Sequence, residues 1–398
     1  MESLEVNFDA LSLARRLQPS KPSYVLDVAL QTGPPSGDRL MAVCCSNRLV
    51  QLHSLHNLCQ LREFQGHTGT ICGVCFSPTS PSLLFSGSAD GTIRAWDVRS
   101  PTGKTVQVFS SSQSYPVCSF DVSCGGVVLC GGTEQHDEDS FLLFWDARAV
   151  KGADGGGVLG VYSESHSDDI TQVCFHPRDP DRLASGSTDG LVNVFDLSCS
   201  SEDEALLATC NSGSSVSSVS WAGHDYGRLL CLSHDEGLYL WDLSQLDTEE
   251  PLTVLNLPDA RSSTPLPTQA TLDYFVGGAW VESMEKLLVL GGTRRGEVHL
   301  LHCADQGLEL LKSLQGGHSC TVRCFAWDSV GNALITGGED SQLLQWKPGA
   351  EESSPQGRST LKSLSGLQIK ARPHSNLRNR KGGHLKKGAE SVCSPPDT

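Results

Sequence analysis

Apolar residues in this chain recur at every second position in short runs, and the runs end at tight-turn residues. In Thr92-Ile93-Arg94-Ala95-Trp96, Ile93 and Ala95 fall on one face, the alternation of a half-buried strand. Val50 and Leu52 repeat it, and Val25 with Leu30, Val216 with Trp221, and Phe275 with Trp280 mark the apolar positions of further strands. Forty glycines suit many short strands joined by tight turns. No stretch approaches the ~18 consecutive apolar residues of a membrane-spanning helix. The N-terminal residues carry charges throughout and lack the apolar core of a secretory signal.

The runs fall into repeats. The segments Gly66 to Asp97, Ser165 to Asp196 and Gly317 to Lys347 each open with a small residue and a histidine: His67, His166 and His318. An apolar residue follows each histidine at Ile71, Ile170 and Val322, and an aromatic at Phe76, Phe175 and Trp327. Each segment then carries an aspartate in a tight turn and an aromatic beyond it: Asp90 with Trp96, Asp189 with Phe195, Asp340 with Trp346. Register-matched positions recurring three times are the signature of a repeat architecture.

These residues resemble the WD-repeat family. With the Trp position as marker, repeats fall at His53, Trp96, Trp145, Phe195, Trp241, Leu301 and Trp346, spaced 43 to 60 residues apart. In the sixth, Val298 takes the place of Ile93. The resemblance implies an all-β, seven-bladed WD-repeat β-propeller. The chain after Trp346 turns into Lys347-Pro348-Gly349, so the last blade lacks a strand. The stretch from Leu4 to Leu17 is expected to supply it and close the ring, leaving no unpaired edge.

The resemblance also implies a hydrogen-bonded chain in each complete repeat, from Trp through Ser or Thr and His to Asp. Indole N–H only donates, hydroxyl does both, and carboxylate accepts, so each buried polar group finds a partner. The second repeat has Trp96, Ser86, His67 and Asp90. The seventh has Trp346, Thr336, His318 and Asp340. The fourth keeps Ser185, His166 and Asp189 but ends in Phe195, which cannot donate. The fifth keeps Asp235 and Trp241 but has Cys231 at the hydroxyl position and Ser212 near the histidine position. A Ser/His/Asp hydrolase is rejected: the trio recurs alongside Trp, and no G-x-S-x-G turn embeds any of these serines.

Charge divides the chain. Residues 353–398 carry nine Lys/Arg and two Asp/Glu, whereas residues 1–352 carry 21 and 44. Residues 1–350 are read as the propeller and 351–398 as a disordered basic tail, rich in Ser, Pro and Gly. An acidic body repels phosphates, which leaves nucleic acid to the tail alone, and favours a basic protein partner or simple solubility. Arg378, Arg380, Lys381, Lys386 and Lys387 form a split basic cluster, read as a nuclear or nucleolar address or an RNA-touching arm, with a solubilising tail or one folding back on the acidic body as the alternatives. Sixteen scattered cysteines fit free, mostly buried thiols in a reducing, intracellular compartment.

No cofactor, metal site, small-molecule substrate or catalytic constellation is expected. Cys72 and Cys75 lie three apart on a strand and point to opposite faces. Gly103-Lys104-Thr105 lacks the upstream glycine of a phosphate loop. The Pro- and Ser/Thr-rich stretch between Asp242 and Leu272 reads as an inserted loop.

Two features suggest interaction. Trp96-Asp97-Val98-Arg99 and Trp145-Asp146-Ala147-Arg148 place Asp97, Arg99, Asp146 and Arg148 at the same point of neighbouring blades. This resembles the motif by which WD-repeat substrate receptors dock on the damaged-DNA-binding adaptor of a cullin–RING ubiquitin ligase. The alternative is an Asp–Arg pair within one strand end. Glu134, Asp137, Glu138 and Asp139 share one long turn, and Glu164, Asp168 and Asp169 flank His166. With Asp235, Glu236, Glu339 and Asp340 they are expected to rim one face and attract basic segments, or to be merely solvated. The functional expectation is a non-enzymatic protein-interaction scaffold, with a ligase substrate receptor as the alternative.

Overall fold

Each repeat marker lies in the third strand of its own four-stranded antiparallel sheet. The computed structural model describes residues 8–18, 22–32, 38–148, 157–244, 251–267 and 271–352, and these residues form seven such sheets. The third strands are Leu49–Ser54, Thr92–Asp97, Ser140–Asp146, Leu191–Asp196, Leu238–Asp242, Val298–Ala304 and Leu343–Pro348. The inner strands are Val25–Leu30, Ile71–Phe76, Val117–Val122, Gln172–Phe175, Val216–Ala222, Tyr274–Val281 and Val322–Asp328. Each inner strand neighbours the next, and the last neighbours the first, so the sheets are blades of a closed seven-bladed propeller. One face, here called upper, carries the turns between second and third strands and the loops entering each blade. The lower face carries the remaining turns.

The strand Leu11–Leu17 closes the ring. It pairs antiparallel with Leu343–Pro348, from Leu11 opposite Pro348 to Leu17 opposite Leu343. A short 3-10 turn, Phe8–Ala10, precedes it, and Ala10 C=O accepts from the Gly349 amide at 2.8 Å. The expected strand thus starts at Leu11, and Leu4 to Asn7 lie outside the described residues. The basic tail with Arg378, Arg380, Lys381, Lys386 and Lys387 also lies outside them.

A single sheet cannot bury both of its faces, so the apolar core sits between blades, one cluster at each of the seven boundaries. Val50, Leu52 and Phe64 of blade one meet Ile71, Val74 and Trp96 of blade two. Val25, Met41 and Val43 of blade one meet Cys324, Ile335 and Leu343 of blade seven. The alternation seen in the sequence is the outcome of this arrangement: inward residues feed the clusters, and successive residues face opposite boundaries. In blade six Phe275 and Trp280 pack against their cluster while staying half-buried.

One expectation needs correcting. The stretch between Asp242 and Leu272 is not all inserted loop: Leu252–Leu257 forms the outer strand of blade five and pairs with Leu238–Asp242. The run Leu-Thr-Val-Leu-Asn-Leu between Pro251 and Pro258 has the apolar content for a strand, and the flanking prolines only delimit it.

Outer strands expose unpaired backbone groups, and blade three answers with a device the sequence did not suggest. The short helix Glu202–Ala205, capped by Ser201, presents the Glu202 carboxylate to the outer strand Gly160–His166. Its oxygens accept from the Ser163 amide at 2.8 Å and the Glu164 amide at 2.9 Å, satisfying donors that an edge leaves open.

Candidate functional site

The polar chains within blades are built from buried groups. In blade two, Trp96 Nε1–H donates to Ser86 Oγ at 2.9 Å. Ser86 Oγ lies 2.8 Å from His67 Nε2, and His67 Nδ1 lies 3.0 Å from Asp90 Oδ2. One tautomer satisfies every group: Ser86 O–H donates to Nε2, and Nδ1–H donates to Asp90. Burial pushes the His67 pKa down against the pull of Asp90, so the ring is neutral at pH 7. Burial pushes the Asp90 carboxyl upward, but donation from the Thr92 hydroxyl, the Thr68 amide and His67 together holds it down at about 2. Blade seven repeats the set: Trp346 Nε1–H donates to Thr336 Oγ1 at 3.0 Å, Thr336 meets His318 at 2.8 Å, and His318 meets Asp340 at 3.1 Å.

Blade four has His166 between Ser185, at 2.7 Å, and Asp189, at 3.0 Å, with Phe195 in the indole position. Asn193 there donates to Ser165 C=O at 2.7 Å and accepts from Thr209 Oγ1 at 2.8 Å, a side network the sequence reading missed. In blade five Ser212 bonds the backbone carbonyls of Gly190 and Ser214 instead of Cys231, so no chain forms. Blade three keeps Trp145, but Gly131 occupies the position of Ser86, and the buried indole N–H has no partner among the described residues. A Cβ on Gly131 would stand 3.2 Å from the Trp145 ring, so the close approach itself favours glycine.

The upper face concentrates its free acids in one sector. Glu134, Asp137, Glu138 and Asp139 lie on a hairpin tip of blade three, where His136 and Asp139 exchange backbone bonds of 2.8 and 3.1 Å. Asp137 and Glu138 form the two-residue apex, both at positive φ (53° and 76°), where glycine or asparagine is the usual choice. The Asp137 side chain is 93% exposed. The hairpin is tied to the loop entering blade four: the Gln135 amide donates to Asp169 Oδ1 at 2.8 Å, and Gln135 Nε2 donates to Ser167 C=O at 2.6 Å. Asp168 and Asp169 therefore stand beside Glu134, Asp137 and Glu138.

Acids elsewhere on this face are engaged. Glu236 accepts from the Phe275 amide at 2.7 Å, Asp235 accepts from Ser214, Glu339 pairs with Arg323, and Asp340 holds His318. Arg294 and Arg295 take the corresponding turn of blade six and are exposed. The acids of this face are therefore densest over blades three and four, with Asp235 and Glu236 of blade five adding to the same face.

The lower face carries two matching forks. Arg99 Nε and Nη2 donate to Asp97 Oδ1 and Oδ2, both at 3.0 Å. Arg148 does the same with Asp146, both at 2.9 Å. These side-chain bonds hold both carboxyls below the ordinary carboxylate value. The arginines remain 75% and 65% exposed. In blades four and five Ser198 and Ser244 stand in the arginine position, which confines the pair of forks to blades two and three.

Two half-buried carboxylates escaped the sequence reading. Asp27 and Asp121 sit inside inner strands and each clamps the next blade. Asp27 Oδ2 accepts from the Val74 amide at 2.9 Å, and Asp121 Oδ2 accepts from the Phe175 amide at 2.8 Å. The edges of the inner strands nearest the axis lack a ladder partner, so these amides need a side-chain acceptor. The signal was an aspartate amid apolar strand residues, as in Val-Leu-Asp-Val. Burial raises both carboxyls, Asp121 to about 6.

A group with a raised folded-state pKa contributes its stability below the ordinary carboxylate value of 3.8 and loses it as pH rises through about 6. The unfolding free energy of the protein, minus that of Asp121→Asn, is therefore expected to fall across that window. Urea titrations of both chains at matched pH values check it; a constant difference contradicts it.

Among the described residues, no group of three His, Cys, Asp or Glu side chains could hold a metal ion, and no helix is long and apolar enough to cross a membrane. The described cysteines are free thiols.

Comparison with known proteins gives the same picture as the geometry. The sequence profile "WD domain, G-beta repeat" matches residues 58–97, 157–196 and 308–347, the blades with His–Asp pairs. WD repeat-containing protein GTS1 of Arabidopsis thaliana is 32% identical over 339 residues, covering 81% of each chain. WD repeat-containing protein 89 homolog of Dictyostelium discoideum is 27% identical over 327 residues, covering 81% of this chain and 82% of its own. GATOR2 complex protein WDR24 of Danio rerio is 26% identical over 228 residues, covering 56% of this chain and 28% of its own. Matched repeats, a relative aligned over most of both chains and a ring of seven blades agree: the chain belongs to the WD-repeat family of β-propellers.

Proposed function

We propose that this propeller is a non-enzymatic interaction platform whose acidic sector on blades three and four captures a basic segment of a partner protein. The observation that carries the reading is the Asp137–Glu138 apex, two carboxylates at strained positive φ beside Glu134, Asp168 and Asp169. Holding a non-glycine residue in that region costs about 1 kcal/mol or more, and the Asp137 side chain stays 93% exposed, 3.5 Å from His136 Nε2. Clustered negative charge of this kind speeds encounter with a basic segment and fixes its register. A WD-repeat relative named as a complex subunit, WDR24, supports a role in assembly. The function needs no cofactor and no small-molecule substrate.

The test is recovery of partners on full-length protein. With Glu134→Lys, Asp137→Lys and Glu138→Lys combined, basic partners recovered by the wild type are expected to fall about tenfold or more, because like charges replace opposite ones at the contact. Unchanged recovery defeats the reading.

A second reading rests on the matched Asp–Arg forks of blades two and three, whose exposed guanidiniums stand ready to anchor an interface. In it the lower face docks on a cullin–RING ligase adaptor and the protein serves as substrate receptor. An Arg99→Ala, Arg148→Ala double variant is expected to lose adaptor recovery while keeping the upper-face partner. Absence of the adaptor from the wild-type sample ends this reading.

We propose further that residues 1–350 act as the binding body and 351–398 as a separate basic tail. In this proposal the cluster from Arg378 to Lys387 directs an intracellular protein to the nucleus or nucleolus, and any contact with nucleic acid is made by the tail alone.

A further inference from the structure

A cleft of about 520 Å³ opens on the lower face between blades five and six. Leu240 and Leu287, both buried, form its floor, and the half-buried Trp280 lines it beside them. Three carboxylates surround them: Asp242, Glu285 and Asp305. One guanidinium answers these charges. Arg228 Nη1 lies 2.5 Å from Asp305 Oδ1, and Arg228 Nε lies 3.9 Å from Asp242 Oδ2. No ion pair reaches Glu285 among the described residues, so the cleft keeps a negative balance over an apolar floor.

That combination selects among ligand classes. Anions are repelled by the carboxylates. A purely apolar group would fill the floor but leave the negative balance unanswered. A cation on an apolar stem satisfies both, with its stem on the leucines and its charge between the indole and the carboxylates. A planar guanidinium fits better than an ammonium, because it can stack on the ring and still donate in its plane. The volume falls within the range of ~300–1,000 Å³ usual for small-ligand sites. We infer that this cleft receives an arginine side chain presented by a partner protein. The site lies on the opposite face from the acidic sector and stands independently of it.

The test uses the full-length chain with ¹⁵N-labelled indoles, the Trp280 resonance being assigned by its loss in Trp280→Phe. Three blocked tripeptides are titrated: Gly-Arg-Gly, Gly-Lys-Gly and Gly-citrulline-Gly. Citrulline keeps the arginine shape without its charge. A saturable shift of the Trp280 signal is expected with arginine, and binding about threefold or more weaker with lysine and with citrulline. Glu285→Gln combined with Asp305→Asn is expected to weaken arginine binding by about threefold to tenfold, with the melting temperature read alongside to confirm folding. No saturable shift up to the solubility limit, equal binding of citrulline, or full binding by the carboxylate variant overturns the site. Lysine binding as tightly as arginine overturns the guanidinium assignment.

Discussion

A chain lacking residues 1–17 is expected not to persist as a folded monomer. Leu11–Leu17 supplies the outer strand of blade seven, with Phe8 packed on Trp327 beside it, and its removal strips the outer ladder from Leu343–Pro348. The lost backbone hydrogen bonds are worth about 0.5–1.5 kcal/mol each, and burial of Leu11 adds about 1.5–3 kcal/mol. Leu11 is 3% exposed and belongs to the cluster that joins blades six and seven. Together these losses approach the ~5–15 kcal/mol of net stability typical of a native protein. The strand edge left open would also template pairing between chains. Size-exclusion chromatography with light scattering should show aggregates or no soluble product, and adding a peptide of residues 8–17 during refolding should restore monomer. A truncated monomer that melts with the full chain would show that the ring does not depend on this strand.

The second large effect lies at Trp96, which is fully buried and donates to Ser86. Trp96→Ala is expected to cost about 3–5 kcal/mol, combining lost burial with a cavity between blades one and two. Trp96→Phe should cost about 1–2 kcal/mol, since it keeps most of the ring and removes the donor. Blade four folds with Phe195 at the same position and a side network through Asn193, so a phenylalanine there is tolerated. Urea unfolding of the three chains separates the volume contribution from the hydrogen-bond contribution. Equal losses for the alanine and phenylalanine variants would mean that the indole N–H, not packing, dominates at this site.

The fold was legible because its signal is repeated. A strand pattern, a histidine and a turn aspartate at fixed spacing recur often enough to place seven blades, and the strand missing after Trp346 points to closure from the N-terminus. What the sequence hid depends on contacts between distant residues. Glu202 reads as one acid in a loop until the fold sets it against the Ser163 and Glu164 amides. Asp27 and Asp121 read as interruptions of apolar strands until the next blade brings its amides alongside. The outer strand Leu252–Leu257 was concealed by the Pro and Ser/Thr density on either side of it.

The charged features of the two faces were only half legible. Tight turns announced the acidic residues, and their sequence positions suggested a full rim. The structure distinguishes acids that hold the fold together from those that do not. Glu236, Glu339 and Asp340 answer internal donors, whereas Asp137 meets solvent. The Asp–Arg motifs were equally visible, but only the geometry shows each arginine fork closed on its own aspartate. Docking through Arg99 and Arg148 therefore requires a partner that either accepts the pair as a unit or displaces the carboxylate.

The most direct test of the account is the salt dependence of partner binding to the intact propeller, measured by titration calorimetry on a partner recovered as described above. Capture by the acidic sector predicts that affinity falls steeply as ionic strength rises through the physiological range, where the screening length is about 8 Å, and that the combined Glu134, Asp137 and Glu138 charge reversal removes most of that dependence. An affinity insensitive to salt, with the reversed variant binding like the wild type, would contradict it.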